Sequence, residues 1–166
     1  STYPRTSILK HGENIIGEYG CFMQKGAPEI LNLNMVHGSA DTFGDPNSIF
    51  LSATLANTLF GDQNPMGSSI KLNNNTVLKV SGVYEDLPRN SSFSDALGYL
   101  ASLNLLTDNA GPNMRGWRNN WVVAYVKVAK NVTMEQASAL IKDVKLDRAG
   151  EQEAQSNPQL FLHPLA

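Results

Sequence analysis

Between residues 48 and 93 the spacing of the hydrophobic residues changes twice, and each change predicts a new element. The short apolar run at residues 49–51 predicts a strand. Residues 53–60 instead carry their larger apolar side chains three or four positions apart, which is typical of one helical face, namely Leu55, Ala56, Leu59 and Phe60. Ser52 can accept a hydrogen bond from an amide in the first turn of this helix. We therefore predict a strand that runs directly into a capped helix.

The residues after this helix predict a turn and a β-hairpin. Gly61 can adopt the left-handed conformation that ends a helix, and Pro65 cannot rejoin the helical hydrogen bonds. Two alternating stretches then flank the asparagines at 73–75, whose side chains tolerate positive φ. The alternating positions are Ile70, Leu72, Leu78, Val80, Gly82 and Tyr84. Pro88 has no amide to donate and therefore ends the second strand.

Three other segments have weaker patterns. Residues 29–36 alternate loosely between apolar and polar positions, which predicts a strand. Residues 94–106 have the aliphatic spacing of a helix. Residues 108–120 are rich in Gly, Pro and Asn, which predicts a long loop.

The C-terminal part of the chain predicts one more strand and one more helix. Residues 121–128 are rich in β-branched and aromatic side chains, which favour a strand. Thr133 and Gln136 have the spacing of a capping box. The helix that follows has an apolar stripe made of Met134, Ala137, Leu140, Ile141 and Val144. Together the elements predict an α+β fold with mixed sheets and packed helices.

Length and composition limit the possible classes of protein. A chain of 166 residues is ordinary for one domain and buries roughly 70% of its unfolded surface. A hydrophobic content of 42% and a charged content of 17% are typical of a globular protein. The net charge of -2 leaves no excess of cations for a phosphate backbone, so we expect no nucleic-acid partner. No stretch reaches the ~20 apolar residues that a membrane-spanning helix needs.

Residues that could bind a metal are scattered along the sequence. Cys21 is the only cysteine, which excludes an internal disulfide and a multi-thiolate metal site, and we interpret it as a buried small side chain. His11, His37 and His163 do not stand at ligand spacing from another His or from a Glu. The oxygen-bearing side chains of residues 41–47 have the wrong offsets for a calcium loop, and we interpret them as a turn. We expect no metal site and no cofactor.

Catalytic and phosphate-binding patterns are also missing from the sequence. Glu85 and Asp86 are neighbours at a strand end, so their side chains point to opposite faces and cannot share one proton. Ser52 does not lie in a nucleophile elbow. Gly61 and Gly67 enclose five residues instead of four, and no lysine follows Gly67, so the segment does not match a nucleotide loop. We expect no catalytic residue and no enzyme activity.

The succession of capped helix, glycine turn and hairpin resembles the extracytoplasmic core domain of ABC-transporter permeases of the MacB and FtsX type. The residues that carry the resemblance are Ser52, Ala56, Leu59, Phe60, Gly61, Pro65, Gly67, Val80, Gly82, Val83, Asp86, Pro88, Ser92 and Phe93. Residues 117–120 and 162–165 are similar to later landmarks of the version found in Bacteroides-like bacteria. One departure is Ser68, where the family often has a lysine. The resemblance covers most of the chain from about residue 33 onward.

The resemblance implies a single periplasmic core domain over residues 1–166, built from two small lobes. It implies that the domain comes from a larger inner-membrane permease, with one transmembrane helix on each side. The expected partners are those helices, a cytoplasmic ATP-binding subunit, the second permease of a dimer, and a periplasmic adaptor, lipoprotein or peptide. The implied function is to transmit ATP-driven movement of the transmembrane helices to periplasmic substrates or partners, in export, lipoprotein release or cell-envelope regulation.

One alternative function and the role of one tryptophan remain open at this point. The chain could instead be a soluble extracytoplasmic small-ligand-binding or sensor domain, for which a pocket with a few converging polar groups is required. Trp117 is a candidate partner contact, because aromatic residues concentrate the energy of protein interfaces. For this tryptophan in a polar loop, a structural role is about as well supported as a partner contact.

Overall fold

The computed structural model describes residues 1–93, 97–108, 121–149 and 158–165. The chain divides into two compact units, Ser1–Asn109 and Ala110–Ala166. The strands of the first unit are β1 (Arg5–His11), β2 (Asn14–Met23), β3 (Met35–Gly38), β4 (Ser48–Ser52), β5 (Ser69–Leu72), β6 (Thr76–Tyr84) and β7 (Tyr99–Ser102). Its helices are α1 (Ala27–Ile30), α2 (Ala53–Phe60) and α3 (Asn104–Thr107), with a 3-10 turn at Ala40–Thr42.

Six strands of the first unit pair in a closed ring. Around the ring, β6 pairs with β4, β4 with β7, β7 with β2, β2 with β1, β1 with β5, and β5 again with β6. The β6–β4 and β7–β2 pairs are parallel and the other four are antiparallel, so the sheet is mixed. Strand β3 lies beside the end of β6, where Met35 pairs with Tyr84 and Gly38 with Gly82. Closure pairs backbone groups that would otherwise form the two edges of an open sheet.

The ring closes through a short contact between β1 and β5. Only two residue pairs, Leu9 with Leu72 and Lys10 with Lys71, form this ladder. Asn73 extends this ladder. Its backbone amide donates to the Ile8 carbonyl at 2.8 Å, and its side-chain Oδ1 accepts from the Ile8 backbone amide at 2.9 Å. Asn73 has φ +49°, which asparagine tolerates better than most residues. One asparagine thus replaces a further pair of the ladder.

Helix α2 packs against strands β1, β2, β4 and β6. Its buried residues are those of the predicted face, Leu55, Ala56, Leu59 and Phe60. All five residues of β4 and all four of β7 are buried, so both faces of these two strands are covered. Burying each large aliphatic side chain contributes roughly 1.5–3 kcal/mol, so α2 and the central strands form the main core.

Two buried tyrosines connect the core strands through their hydroxyls. Tyr84 donates to the Leu97 carbonyl at 2.8 Å, and Tyr99 donates to Ser7 Oγ at 2.8 Å. Burial raises the pKa of Tyr84 well above its usual value and raises the pKa of Tyr99. The Tyr99 ring fits only because its partner on β2 is Gly20, where a Cβ would lie 2.4 Å from the ring.

The structure confirms the elements predicted between residues 48 and 84. The strand is β4, the helix is α2, and the hairpin is the antiparallel pair β5–β6. Asn73 and Asn74 both have positive φ in the hairpin turn, as their side chains suggested. The prediction that Pro88 ends the second strand is wrong, because the strand already ends at Tyr84, where its pairing with β3 and β4 also stops.

Two predicted elements are wrong. The predicted strand at residues 29–36 is instead helix α1 followed by β3, because Pro28 occupies the first turn of a helix and favours its start. The helix predicted at residues 94–106 is instead strand β7 followed by α3, with residues 94–96 outside the described chain. Strand β7 is buried on both faces, and such a continuous apolar run cannot be distinguished from a helix by spacing alone.

In the described residues of the second unit, helices α4 (Met134–Ile141) and α5 (Val144–Ala149) follow each other. The capping box is confirmed, since Thr133 Oγ1 accepts from the Gln136 amide at 3.2 Å and Gln136 Oε1 accepts from the Thr133 amide at 2.9 Å. The prediction of one continuous apolar stripe is wrong at two positions. Leu140 is 80% exposed, and Val144 lies in a separate helix, α5, because α4 ends at Ile141.

The strand predicted at residues 121–128 is not confirmed within the described residues. They show an isolated bridge at Val122 and an alternation of half-buried and exposed positions from 121 to 126. This alternation is the burial pattern of extended chain. Most of the loop predicted at residues 108–120 lies outside the described chain.

Gly20 provides a test of how the Tyr99 side chain packs against strand β2. We expect Gly20→Ala to lower the free energy of unfolding by about 1–3 kcal/mol, because its Cβ would overlap the Tyr99 ring. Gly17→Ala is the matched control on the same strand, since a Cβ there meets only Thr6 Cγ2 at 3.7 Å. Urea unfolding measures both variants. Equal stability of the two would contradict this account of the packing.

The buried tyrosines predict a loss of stability at alkaline pH. Because the folded-state pKa of Tyr84 is raised, its stabilising contribution is complete below the unfolded pKa of about 10 and is lost as the pH rises further. Tyr84→Phe should cost about 1 kcal/mol at neutral pH and should flatten the decline above pH about 10. Tyr3→Phe is the control, at a side chain that is 59% exposed. Urea unfolding as a function of pH checks this prediction.

Candidate functional site

The segment that the sequence singled out folds around the two ends of helix α2. At its start, Ser52 Oγ accepts from the Leu55 amide at 3.2 Å, which confirms the predicted N-cap. Asp86, from the chain after β6, adds a second cap. Its Oδ1 accepts from the Thr54 amide at 3.2 Å and its Oδ2 from the Thr54 hydroxyl at 2.7 Å. A carboxylate at a helix N-terminus is also favoured by the helix dipole.

The last turn of α2 is held from the opposite side by the β1–β2 hairpin. Asn14 Nδ2 donates to the Leu59 carbonyl at 2.7 Å, which gives this carbonyl a partner. The His11 ring lies 4.2 Å from the Phe60 ring, centroid to centroid. Gly61 has φ +58° and its amide donates to the Asn57 carbonyl at 2.7 Å. The helix is therefore tied to other parts of the sheet at both ends.

The remaining residues of the motif shape the turn and the hairpin. Pro65 is buried, and Gly67 has φ +79° while its amide donates to the Val80 carbonyl at 2.8 Å. Gly82 makes room for a neighbour, since a Cβ there would lie 2.7 Å from the Phe50 ring. Val83 is buried beside it.

Two more residues singled out from the sequence are Pro88 and Trp117. Pro88 is exposed and its carbonyl accepts from the Ser91 amide at 2.8 Å, in the turn that leads to buried Phe93. Trp117, the candidate partner contact, lies outside the described residues.

Two grooves flank helix α2. One has a volume of ≈ 450 Å³ and lies between the helix, β3 and the turn after the helix, with Val36, His37, Ala56, Asp62 and Pro65 in its walls. The other has a volume of ≈ 590 Å³ and lies at the start of the helix, with Glu18, Thr54, Asp86 and Arg89 in its walls. The motif residues thus form the walls of both grooves as well as the core beneath them.

The cysteine and two of the histidines lie in surroundings that stabilise the fold. Cys21 is fully buried, as predicted, and burial raises the pKa of its thiol. His11 Nδ1 lies 3.0 Å from the Ser69 carbonyl, and His163 Nδ1 lies 3.0 Å from the Pro164 carbonyl. Within the described part of the chain, no group of three or more His, Cys, Asp or Glu residues is placed to hold a metal ion.

Several residues that position α2 have no recognisable signal in the sequence. Thr54 and Asn14 are polar residues without a motif of their own, and their partners lie 32 and 45 positions away. The whole β1–β2 hairpin was also missed, although Gly12, with φ +56°, marks its turn. A glycine between two alternating stretches was the available signal for that hairpin.

The closed mixed sheet and the clamped helix define an α+β domain. Residues 4–144 match the family model of the MacB-like periplasmic core domain, so the chain belongs to that family. The resemblance stated from the sequence is thus confirmed, and so is the α+β fold of that family.

Solved structures share this fold. A domain assigned to a permease protein of Porphyromonas gingivalis has a TM-score of 0.70 and 19% identity, covering 99% of this chain and 72% of that one. The periplasmic region of MacB from Actinobacillus actinomycetemcomitans has a TM-score of 0.62 and 15% identity, covering 93% and 72%. The extracellular domain of the ABC-type transporter YknZ from Gram-positive bacteria has a TM-score of 0.50 and 17% identity, covering 65% and 55%. A comparison with curated proteins gave no significant match.

The family establishes where the chain acts and in what kind of assembly. It is a periplasmic, and therefore extracytoplasmic, domain of an ABC-type transporter permease. Among the described residues, no helix combines the length and the apolar character that crossing a membrane requires.

The double cap of α2 can be tested directly. We expect Asp86→Ala to lower the free energy of unfolding by about 1–2 kcal/mol, because the Thr54 amide and hydroxyl lose their charged acceptor. Asp62→Ala removes the same charge from an exposed position just after the helix and should leave stability unchanged or slightly higher. Thermal unfolding followed by circular dichroism compares the two variants. A similar effect of both would exclude the specific cap.

Proposed function

We propose that this domain transmits ATP-driven movement of transmembrane helices to periplasmic substrates or partners, and that it performs no catalysis itself. Residues 1–166 act in this proposal as one periplasmic core domain between two transmembrane helices of a larger permease. A cytoplasmic ATP-binding subunit drives the movement, and a second permease completes a dimer. The partner on the periplasmic side is an adaptor, a lipoprotein or a peptide, in export, lipoprotein release or cell-envelope regulation.

The observation that supports this proposal most is the attachment of helix α2 at both ends. Asp86 holds its start and Asn14 holds its last turn, so the two grooves beside the helix have walls that move together. A domain that transmits displacement must move as a rigid body, since local bending would dissipate the movement. The closed ring of strands supplies the same stiffness to the sheet beneath the helix.

Spin labels on the full-length permease, assembled with its ATP-binding subunit in lipid nanodiscs, test the proposal. Asp62→Cys places a label on the exposed turn after α2, and the fully buried Cys21 leaves the added thiol as the accessible one within the described part of this domain. We expect the distance between the Asp62 labels of the two protomers to change when ATP binds. Pulsed electron paramagnetic resonance measures this distance.

A second label pair provides the control. Glu29→Cys and Asp62→Cys lie at exposed positions of the same unit, so their mutual distance should stay constant with and without ATP. A change within this pair would contradict rigid-body motion, and no change between the protomers would contradict transmission. A small molecule that raised the melting temperature without any movement would instead favour the ligand-binding alternative.

A further inference from the structure

A third groove lies at the end of the strand ring where β1 and β6 begin and where β2, β5 and β7 end. Helix α2 is attached to the opposite end of the ring, through His11, Asn14 and Asp86. The groove has a volume of ≈ 390 Å³, which is within the roughly 300–1,000 Å³ of small-molecule sites, and such sites occur in the mouths of β-barrels. The apolar part of its lining consists of Phe22, Leu72, Leu105 and Leu106.

Strand β1 brings two polar residues to this groove, Arg5 and Ser7. Side chains alternate along a strand, so Arg5, Ser7 and Leu9 lie on one face of it. Leu9 is fully buried and Ser7 is 3% exposed, whereas Ile8 on the other face is 45% exposed. The face that carries Arg5 and Ser7 is therefore the one that points into the ring. Ser7 lies inside the groove, and Arg5, which is exposed, lies at its rim.

The buried hydroxyl of Ser7 has a proton without an acceptor among the described residues. Its oxygen accepts from the Tyr99 hydroxyl at 2.8 Å and from Asn73 Nδ2 at 3.3 Å. Burial raises the pKa of Tyr99, so this phenol stays protonated and donates at neutral pH. A serine hydroxyl can also donate one hydrogen bond, and no described residue accepts it. A buried donor without a partner is costly, so Ser7 favours a ligand that brings an acceptor.

Arg5 supplies a positive charge beside this donor. Its guanidinium lies over the Phe22 ring, 4.4 Å from the ring centroid, and this contact places it at the groove. No carboxylate among the described residues forms an ion pair with it. The planar guanidinium presents two parallel N–H groups, which match the two oxygens of a carboxylate.

Glu18 is the carboxylate that the register places nearest to these donors, directly opposite Ser7 on β2. Its side chain lies against Gly98 instead, and its Oε1 accepts from the Tyr19 amide at 2.9 Å. It forms part of the wall of the groove at the start of α2, not of this one. Glu18 therefore leaves the donors of Arg5 and Ser7 available to an anion.

We propose that this groove binds a small organic acid, with its carboxylate on Arg5 and Ser7 and an apolar body against the leucines. The free groups that carry the argument are both donors and one is charged, which selects an anion over a cation or a neutral donor. The apolar lining selects an organic acid over an inorganic anion. The same chemistry is present in a free acid and in the C-terminal residue of a peptide.

A titration of the full chain of residues 1–166 with N-acetyl-leucine, followed by ¹⁵N–¹H nuclear magnetic resonance, tests the proposal. We expect saturable shifts of the amide signals of residues 6–8 and 73–76, which line or adjoin the groove. N-acetyl-leucinamide has the same body without the charge and should bind at least about ten-fold more weakly, because hydrogen bonds to charged groups are the stronger ones.

Variants of Arg5 separate this site from other surfaces. Arg5→Gln should lower the affinity for N-acetyl-leucine roughly ten-fold or more, and Arg5→Lys should lower it less, since it keeps the charge but loses the paired N–H groups. Arg89→Gln removes the same group from an exposed position in the groove at the start of α2, and should change the affinity by less than about two-fold. Melting temperatures of the three variants show whether each remains folded.

The proposal is wrong if N-acetyl-leucine gives no saturable shifts, if the amide binds equally well, or if folded Arg5→Gln and Arg89→Gln lose affinity equally. The peptide Gly-Gly-Leu then distinguishes the two sources of the acid. Tighter binding than that of N-acetyl-leucine identifies a peptide C-terminus, and weaker binding identifies a free acid. These titrations involve neither ATP nor movement, so their failure is distinct from a failure of the proposed transmission.

Discussion

The first unit depends on the closure of its strand ring between β1 and β5. This contact has two residue pairs, and Asn73 lengthens it with hydrogen bonds to both backbone groups of Ile8. The Asn73 side-chain amide also donates to Ser7 Oγ at 3.3 Å, and the same oxygen accepts from the Tyr99 hydroxyl. The closure is thus linked by hydrogen bonds to β7, on the far side of β2. Without it, β1 and β5 would each become the edge of an open sheet.

The same ring explains why the clamped helix suits a role in a transporter. Asn14, which holds the last turn of α2, begins strand β2, and Asp86, which holds its first turn, follows strand β6. These two strands lie in different parts of the ring, separated by β4 and β7 on one side and by β1 and β5 on the other. Under the proposed function, a displacement applied to either strand would reach both ends of the helix. The helix is thus held by a few polar contacts around a closed sheet, in addition to the apolar core.

Local signals predicted the elements between residues 48 and 84, because serine, glycine, proline and asparagine each mark a boundary there by their own chemistry. Strand β7 could not be predicted, since its buried run has the same apolar character as a buried helix. The roles of Thr54 and Asn14 depend on partners far away in sequence, and no local spacing reports such contacts. The residues that form helix α2 and its turn could therefore be predicted from the sequence, but those that hold the helix in place could not.

The position of β7 has a consequence for how the chain folds. It is the last strand of the first unit in sequence, yet it lies between β4 and β2, which are made much earlier. When the chain is synthesised from its N-terminus, β2 and β4 are made before the strand that lies between them, Tyr99–Ser102. Strand β7 must pair with β2 on one side and with β4 on the other. Its long sequence separation from these strands adds a loop-closure entropy cost to this step. The ring is therefore incomplete until β7 has paired, and a chain that stops short of β7 leaves two unpaired strand edges.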